Sequence, residues 1–374
     1  METAHDIHIG DARALDAVPS DSVELVVTSP PYPMIEMWDE IFATLSPRVE
    51  TALNNEDGAA AFDAMHAVLD EVWDEIERVL VPGGIACINI GDATRTITGN
   101  FRVYQNHARI MDAFTDRGFS PLPEILWRKP TNSAAKFMGS GMTPPNAYVT
   151  LEHEYILCFR NGDTRRGFEP GAENRYESAY FQEERNKWFS DLWEDVRGKC
   201  QPLNRDELRD RSAAYPVEIP YRLINMYSVY GDTVLDPFWG TGTTTLAAML
   251  AARDSIGCEL HDEFLTVFED RVSNVPEIAD AIITQRLSDH REYIEDQIDD
   301  GQTFAYEADI YEVPVASQDE RQIQLYTAEQ IEQGDDDKNT AANSSTYTVR
   351  HTAVTDSEAV NTPSKLKKTT LSDF

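Results

Sequence analysis

The chain reads as an α/β protein built on a mostly parallel sheet with helices on both faces. Three observations carry that reading. Short apolar runs bounded by Gly, Asp and Pro recur through the first 275 residues, as buried strands do. Segments with apolar residues at helical spacing separate them, and such alternation needs crossovers between parallel strands. The length of 374 residues, with 41% hydrophobic, suffices for one large core plus an appendage.

The elements follow in order. Ile7-His8-Ile9-Gly10-Asp11 is a strand with its exit turn, a short amphipathic helix is expected next, and Val23-Glu24-Leu25-Val26-Val27 is the second strand. It must stop at Ser29-Pro30-Pro31-Tyr32, because proline removes a ladder donor. Residues 62–80 form a helix on Met65, Val68, Leu69, Val72, Trp73, Ile76, Val79 and Leu80, closed by Pro82-Gly83-Gly84. A strand is expected at 85–90, a helix at 101–117, and strands at 122–127 and 154–159, with 129–148 loop-like. Residues 160–210 are polar and irregular, with Arg165, Arg166, Arg175, Arg185 and Lys187 interleaved with Tyr176, Tyr180, Phe181 and Trp188. Regular order resumes with a helix at 219–227, a strand at 233–235, a helix at 243–252 and a strand at 255–258. Residues 276–333 read as an acidic extension. The stretch 334–374 is polar and is expected to be disordered.

Charge narrows the function. The net charge is −34, and the basic residues are 24 Arg and 8 Lys, a composition that suits solubility at high salt. Residues 95–222 depart from it, with 19 basic against 18 acidic side chains. This segment is the candidate to face a polyanion; uneven loop composition is the alternative. No run of about 18 apolar residues exists, so no membrane span is expected. Residues 1–10 lack the features of a signal peptide, and a cytoplasmic location is expected. Cys87, Cys158, Cys200 and Cys258 stand far apart, so neither a metal site nor a disulfide framework is expected.

Two motifs carry chemistry. Asp236-Pro237-Phe238-Trp239-Gly240-Thr241-Gly242-Thr243-Thr244 follows a strand and opens a helix. Its glycines allow close backbone approach, and the helix N-terminus offers free amides. Glu259 ends the next strand, where an acid suits ribose hydroxyls. The spacing is not that of a plain dinucleotide fold. The second motif, Ser29-Pro30-Pro31-Tyr32, is weak alone; the pairing of the two gives it weight.

Together they resemble the amino-methyltransferases of DNA, in which a [DNS]PP[YF] loop holds the target base and a DPFxGxGTT turn holds S-adenosylmethionine. The catalytic loop precedes the cofactor turn, which is the circularly permuted, beta-class order of a Rossmann-like methyltransferase fold. Further landmarks match: Ile9-Gly10-Asp11, Arg78-Val79-Leu80-Val81-Pro82-Gly83-Gly84, Trp127-Arg128-Lys129-Pro130, Glu154-Tyr155-Ile156-Leu157-Cys158-Phe159 and Ala214-Tyr215-Pro216. The resemblance spans residues 5 to about 272, inside a catalytic domain expected at 1–275. Two positions depart from it: Arg211 replaces a common His, and Trp239 fills a site more often small.

The resemblance implies a reaction and its residues. Ser29 and the Pro30 carbonyl would accept the hydrogens of an exocyclic amine, Pro31 would stiffen the loop, and Tyr32 would stack on a base flipped out of double-stranded DNA. Asp236, Phe238, Gly240, Gly242 and Thr243 would line S-adenosylmethionine, with Glu259 on its ribose and Asp11 near its adenine. Phe238 could instead be core, and Asp11 a helix cap. Trp38 and Trp127 read as packing residues. Ser in the loop favours N4 of cytosine over N6 of adenine; an RNA or protein amine is the alternative substrate. Target recognition is assigned to an insert at about 129–210. The whole chain is similar to the CTAG-modifying methylases of haloarchaea. The C-terminal Lys368, Leu371 and Phe374 resemble a sliding-clamp-binding peptide, with an ordinary polar tail as the alternative.

Overall fold

The computed structural model describes residues 1–129, 138–197, 215–334 and 344–355. Arg211 and the tail residues Lys368, Leu371 and Phe374 lie outside them. The main sheet contains β1 (Glu2–Ile9), β2 (Val23–Thr28), β3 (Leu80–Ile90), β4 (Ile125–Arg128), β5 (His153–Asn161), β6 (Leu192–Trp193), β7 (Thr233–Asp236), β8 (Asp254–Glu259), β9 (Tyr326–Gln333) and β10 (Ser344–Ala353). Its order is β6-β4-β5-β3-β2-β7-β8-β1-β10-β9, with Phe119–Pro121 beside β5. The five central neighbours, β3, β2, β7, β8 and β1, run parallel. β5 flanks them antiparallel on one side and β10 on the other.

Both faces are covered, which is why the central strands are near-continuous apolar runs. Successive β2 side chains alternate between two cores, as the pleat requires. Val26 faces Met65, Leu69, Trp73 and Ile76 of α3 (Gly58–Val79). Leu25 and Val27 face Ile224 of α7 (Glu218–Tyr227) and Ala248 of α8 (Thr243–Ala251). Between β2 and α3 lie two short helices, α1 (Asp39–Leu45) and α2 (Pro47–Asn54). The remaining helices are α4 (Asn106–Asp116), α5 (Glu173–Glu177), α6 (Gln182–Trp188), α9 (Glu263–Val272) and α10 (Val275–Asp299).

Four expectations need correction. Residues 11–22 form turns, not an amphipathic helix. Residues 101–104 are not helical: Ala93–Ile97 and Asn100–Tyr104 pair as a hairpin. Thr98 and Gly99 both take positive φ, 51° and 80°, the turn that fits a two-residue hairpin loop. The stretch read as irregular, 160–210, contains the short helices α5 and α6 and the strand β6. Finally, the stretch expected to be disordered from 334 onward contains β10, which pairs with β1 on one side and β9 on the other. Its low apolar content hid a period-two pattern in which Tyr347, Val349 and His351 are buried. The sheet supplies the partners that make ten residues of modest hydrophobicity a strand.

Candidate active site

The C-terminal ends of the parallel strands meet at one edge, where open α/β sheets bind ligands. The two motifs sit on neighbouring strands there, with Leu235 of β7 opposite Val26 of β2. Ser29, Pro30, Pro31, Tyr32, Asp11, Asp236, Phe238, Gly240, Thr243 and Glu259 all line a single cleft. Gly242 stands behind it. Its φ is +73°, and a Cβ there would strike Phe268 and Trp239, so its requirement is turn geometry and packing.

The cofactor turn is pinned from three sides. The Trp239 amide donates to the Cys258 carbonyl at 3.0 Å. Arg271 donates to the Thr241 carbonyl at 2.8 Å and to Thr243 Oγ1 at 3.2 Å. The Trp239 indole donates to Thr245 at 2.9 Å and packs over Gly257; its bulk is therefore accommodated behind the turn by a glycine. Gly240 has φ +53°, and a Cβ there would meet only the Phe238 carbonyl, at 3.9 Å. The backbone is thus open to the cleft. Glu259 accepts from the Gly240 amide at 2.8 Å and the His261 amide at 3.0 Å, which leaves carboxylate lone pairs for further donors. Burial pushes its carboxyl up against those bonds. A nucleoside with vicinal hydroxyls and an apolar-walled sulfonium side chain fits this donor set and glycine cradle. Asp11 is turned toward Arg13, at 2.6 Å; burial pushes its carboxyl up, but the bonds and charge of Arg13 hold it below the usual range.

Asp236 has a different occupation. Its Oδ1 accepts from Thr28 Oγ1 at 2.6 Å and the Phe238 amide at 3.1 Å, and its Oδ2 accepts from Thr244 Oγ1 at 2.6 Å. Thr244 lies 2.5 Å from the Tyr215 hydroxyl. The carboxylate thus clamps the strand leading into the catalytic loop to the first turn of α8. Burial raises it to about 6, with Glu259 adding to the shift and the three donors opposing it.

In the catalytic loop, Ser29 Oγ lies 3.3 Å from the Tyr32 hydroxyl and 3.4 Å from Asn89 Nδ2. Among the described residues, no hydrogen bond reaches the Pro30 carbonyl. The Tyr32 hydroxyl donates to Glu154 Oε2 at 2.9 Å, and Asn89 Nδ2 donates to both, each at 2.9 Å. Lys129 Nζ donates to Glu154 Oε1 at 2.7 Å. The Tyr32 ring sits against Gly91, where a Cβ would come within 3.0 Å.

Sequence reasoning did not select Thr28, Asn89, Lys129, Glu154, Trp38 or Tyr215. Glu154 and Tyr215 belong to quoted landmarks, but nothing local marks their side chains as facing the loop. Trp38 read as packing; with Ile41, Phe42 and Leu45 of α1 it lines the cleft. Trp127 is a packing residue, fully buried, its indole on the Val196 carbonyl at 3.0 Å.

Residues 130–137 and 198–210 of the expected recognition insert lie outside the described residues, and the described part divides between the two edges of the sheet. Lys129 and the Arg128–Glu194 pair, at 2.8 Å, lie at the edge of the catalytic loop. Residues 162–181 lie at the opposite edge. There Arg166 pairs with Asp232, just before β7, at 2.8 Å, Arg175 sits over the Phe168 ring, and Phe181 is fully buried.

The model of the N6/N4 DNA methylase family matches residues 23–270, which hold both motifs. The chain belongs to this family. It is therefore a DNA amino-methyltransferase dependent on S-adenosylmethionine. Among its relatives, the type II methyltransferase M.MthZI of Methanothermobacter thermautotrophicus is 49% identical over 329 residues, covering 87% of this chain and 91% of that one. M.MjaI of Methanocaldococcus jannaschii is 50% identical over 283 residues, covering 73% and 92%. The structure of TTHA0409 from Thermus thermophilus, complexed with S-adenosyl-L-methionine, is 32% identical with a TM-score of 0.56, covering 72% and 93%. No helix among the described residues of the methyltransferase is long and apolar enough to cross a membrane.

Proposed function

We propose that this enzyme is a type II methyltransferase that methylates N4 of a cytosine flipped out of double-stranded DNA. One observation carries the reading: a hydroxyl, Ser29, and a carbonyl, Pro30, that takes no hydrogen bond from the described residues share a cleft with the glycine turn that suits the methyl donor. An exocyclic amine is a poor nucleophile because its lone pair is delocalised into the ring. Two fixed acceptors, one for each hydrogen, draw the amine toward a tetrahedral arrangement and aim the lone pair into the cleft. Positioning of this kind supplies most of what such a transfer needs. When bound, S-adenosylmethionine supplies an electrophilic methyl group. Glu259 is assigned to its ribose hydroxyls, Asp11 to the region of its adenine, and Phe238, Gly240 and Thr243 to the wall around it. Asp236 keeps the two halves of the site in register. Tyr32 offers its ring to the extruded base.

Ser29 rather than an acid at the head of the loop supports cytosine N4 over adenine N6. The acidic, Arg-rich composition supports operation at high salt, and the resemblance to CTAG-modifying methylases supports that tetranucleotide as the target. DNA contacts are assigned to the segment around Lys129, within the recognition insert expected at about 129–210. Nucleoside mass spectrometry and base-resolved sequencing of DNA from cells expressing the enzyme test the base and the target site. N4-methylcytosine in CTAG, absent with Ser29→Ala, is the expected result. N6-methyladenine would overturn the base assignment, and a mark elsewhere would overturn the site.

A further inference from the structure

We infer that Glu154, held by Lys129, is a positioning residue that sets the direction of a hydrogen-bond chain ending at Ser29. The inference rests on the reading that Ser29 receives the target amine.

The chain is laid out by distance. The Glu154 carboxylate is mostly buried and accepts only. Its Oε2 takes the Tyr32 hydroxyl hydrogen at 2.9 Å, and its Oε1 takes Lys129 at 2.7 Å. With its own hydrogen committed to Glu154, the Tyr32 oxygen can only accept from the other side. It does so from Asn89 Nδ2 at 2.9 Å, and Ser29 Oγ stands 3.3 Å away. The Ser29 hydrogen is thereby drawn toward Tyr32, which turns a serine lone pair outward. A hydroxyl is ambivalent by itself, able to donate or accept; here the carboxylate two links away decides. An outward hydrogen would oppose an amine that must itself donate, and an outward lone pair receives it.

Asn89 has the same cause. Its Nδ2 is drawn to the carboxylate at 2.9 Å, while its buried Oδ1 has no partner among the described residues. That orientation costs an acceptor its bond, and the Glu154 charge compensates. Burial and the Glu154 charge also push the Tyr32 phenol well above its ordinary value, so its hydrogen stays available to the chain.

Glu154→Gln tests this with almost no change of shape. If the amide oxygen faces Lys129, its NH2 faces the Tyr32 hydroxyl and the Asn89 amide; in the other orientation the NH2 faces the Lys129 ammonium. In the first orientation the Tyr32 oxygen accepts from the NH2 and its hydrogen turns toward Ser29, reversing the chain; in the second, two donors face each other. The experiment measures tritiated methyl transfer to unmethylated plasmid DNA by the full chain, with S-adenosylmethionine affinity and melting temperature measured alongside. For Glu154→Gln, kcat is expected to fall roughly ten- to hundredfold, with cofactor affinity changed less than about twofold. Tyr32→Phe cuts the chain, so adding Glu154→Gln in that background should cost far less than it does in the wild type. Full additivity in that double mutant, or loss of cofactor affinity and melting temperature in step with rate, would overturn the inference and leave Glu154 a structural residue. Ser29→Ala separates the two readings. If it keeps full activity, the proposed role of the loop has failed. If it is inactive while Glu154→Gln matches the wild type, only this inference has failed.

Discussion

The two edges of the sheet use the same residue types for opposite ends. At the edge of the catalytic loop, polar side chains are held by a few partners and keep capacity to spare. Ser29 makes only long contacts, the Pro30 carbonyl takes no bond from the described residues, and Glu259 retains lone pairs. On the side of the sheet where residues 162–188 pack, polar groups are consumed. Arg286 of α10 meets Glu184 of α6 in a pair about nine-tenths buried, at 2.5 Å, and Arg166 closes on Asp232. Arginines interleaved with aromatics resemble a nucleic-acid surface in composition, yet here much of that segment is the joint that fastens α10 to the domain. Whether a polar residue has unspent hydrogen-bonding capacity separates a site from a strut, and burial and partners reveal that capacity.

Breaking the joint should have the largest effect on stability. Arg286→Ala leaves the Glu184 charge buried and unpaired, at a cost of about 3–5 kcal/mol. Chemical denaturation should show it, while the specific activity of the protein that remains folded should hold. Ser29→Ala should do the reverse, lowering methyl transfer by about 10²-fold or more with an unchanged melting temperature. Equal losses of stability and rate in both variants would erase the contrast between the edges.

Asp236 sharpens it, being a site residue that is fully spent. Its folded value, about 6, lies above the usual 3.8 because of burial. A group raised in this way favours the folded state at low pH, and that contribution is lost as pH rises through about 6. Asp236→Asn removes the titration while keeping one acceptor. Its stability relative to the wild type should therefore improve as pH goes from about 5 to about 8, measured as a difference in melting temperature. Wild-type activity should move the other way and fall below about pH 6, because a protonated Asp236 no longer accepts from both Thr28 and Thr244. A pH-independent difference would mean that burial does not control this group.

The smallest effect belongs to Arg175, exposed over Phe168 at the far edge. Arg175→Ala should change stability by no more than about 0.5 kcal/mol and leave the salt dependence of DNA binding as it was. A shallower salt slope would show that the far edge does touch phosphate.

Much of this was legible in the sequence. The apolar runs of β2, β3, β7 and β8 are local signals, and so are the two prolines that end β2 and the glycines of the cofactor turn. Ten of the eleven residues selected for the site line one cleft. The hairpin at 93–104 was missed because Phe101 and Val103 fit a helical pattern as well as an alternating one, and the positive φ of Thr98 carries no sequence mark. The strand β10 was missed because its alternation is too polar to stand out without its partners.

The sequence by itself determined the α/β class, the order of the Ser-Pro-Pro-Tyr loop and the glycine turn, and the donors and acceptors each can offer. These depend on residues within a few positions of one another, where backbone restriction and side-chain type act directly. Only the tertiary structure decided which distant groups meet. Thr28 and Asp236 are 208 positions apart and share a hydrogen bond, and Glu154 reaches Tyr32 across 122 positions. Such contacts follow from strand order, which is set by how whole apolar faces are buried and leaves no mark in the residues beside each partner.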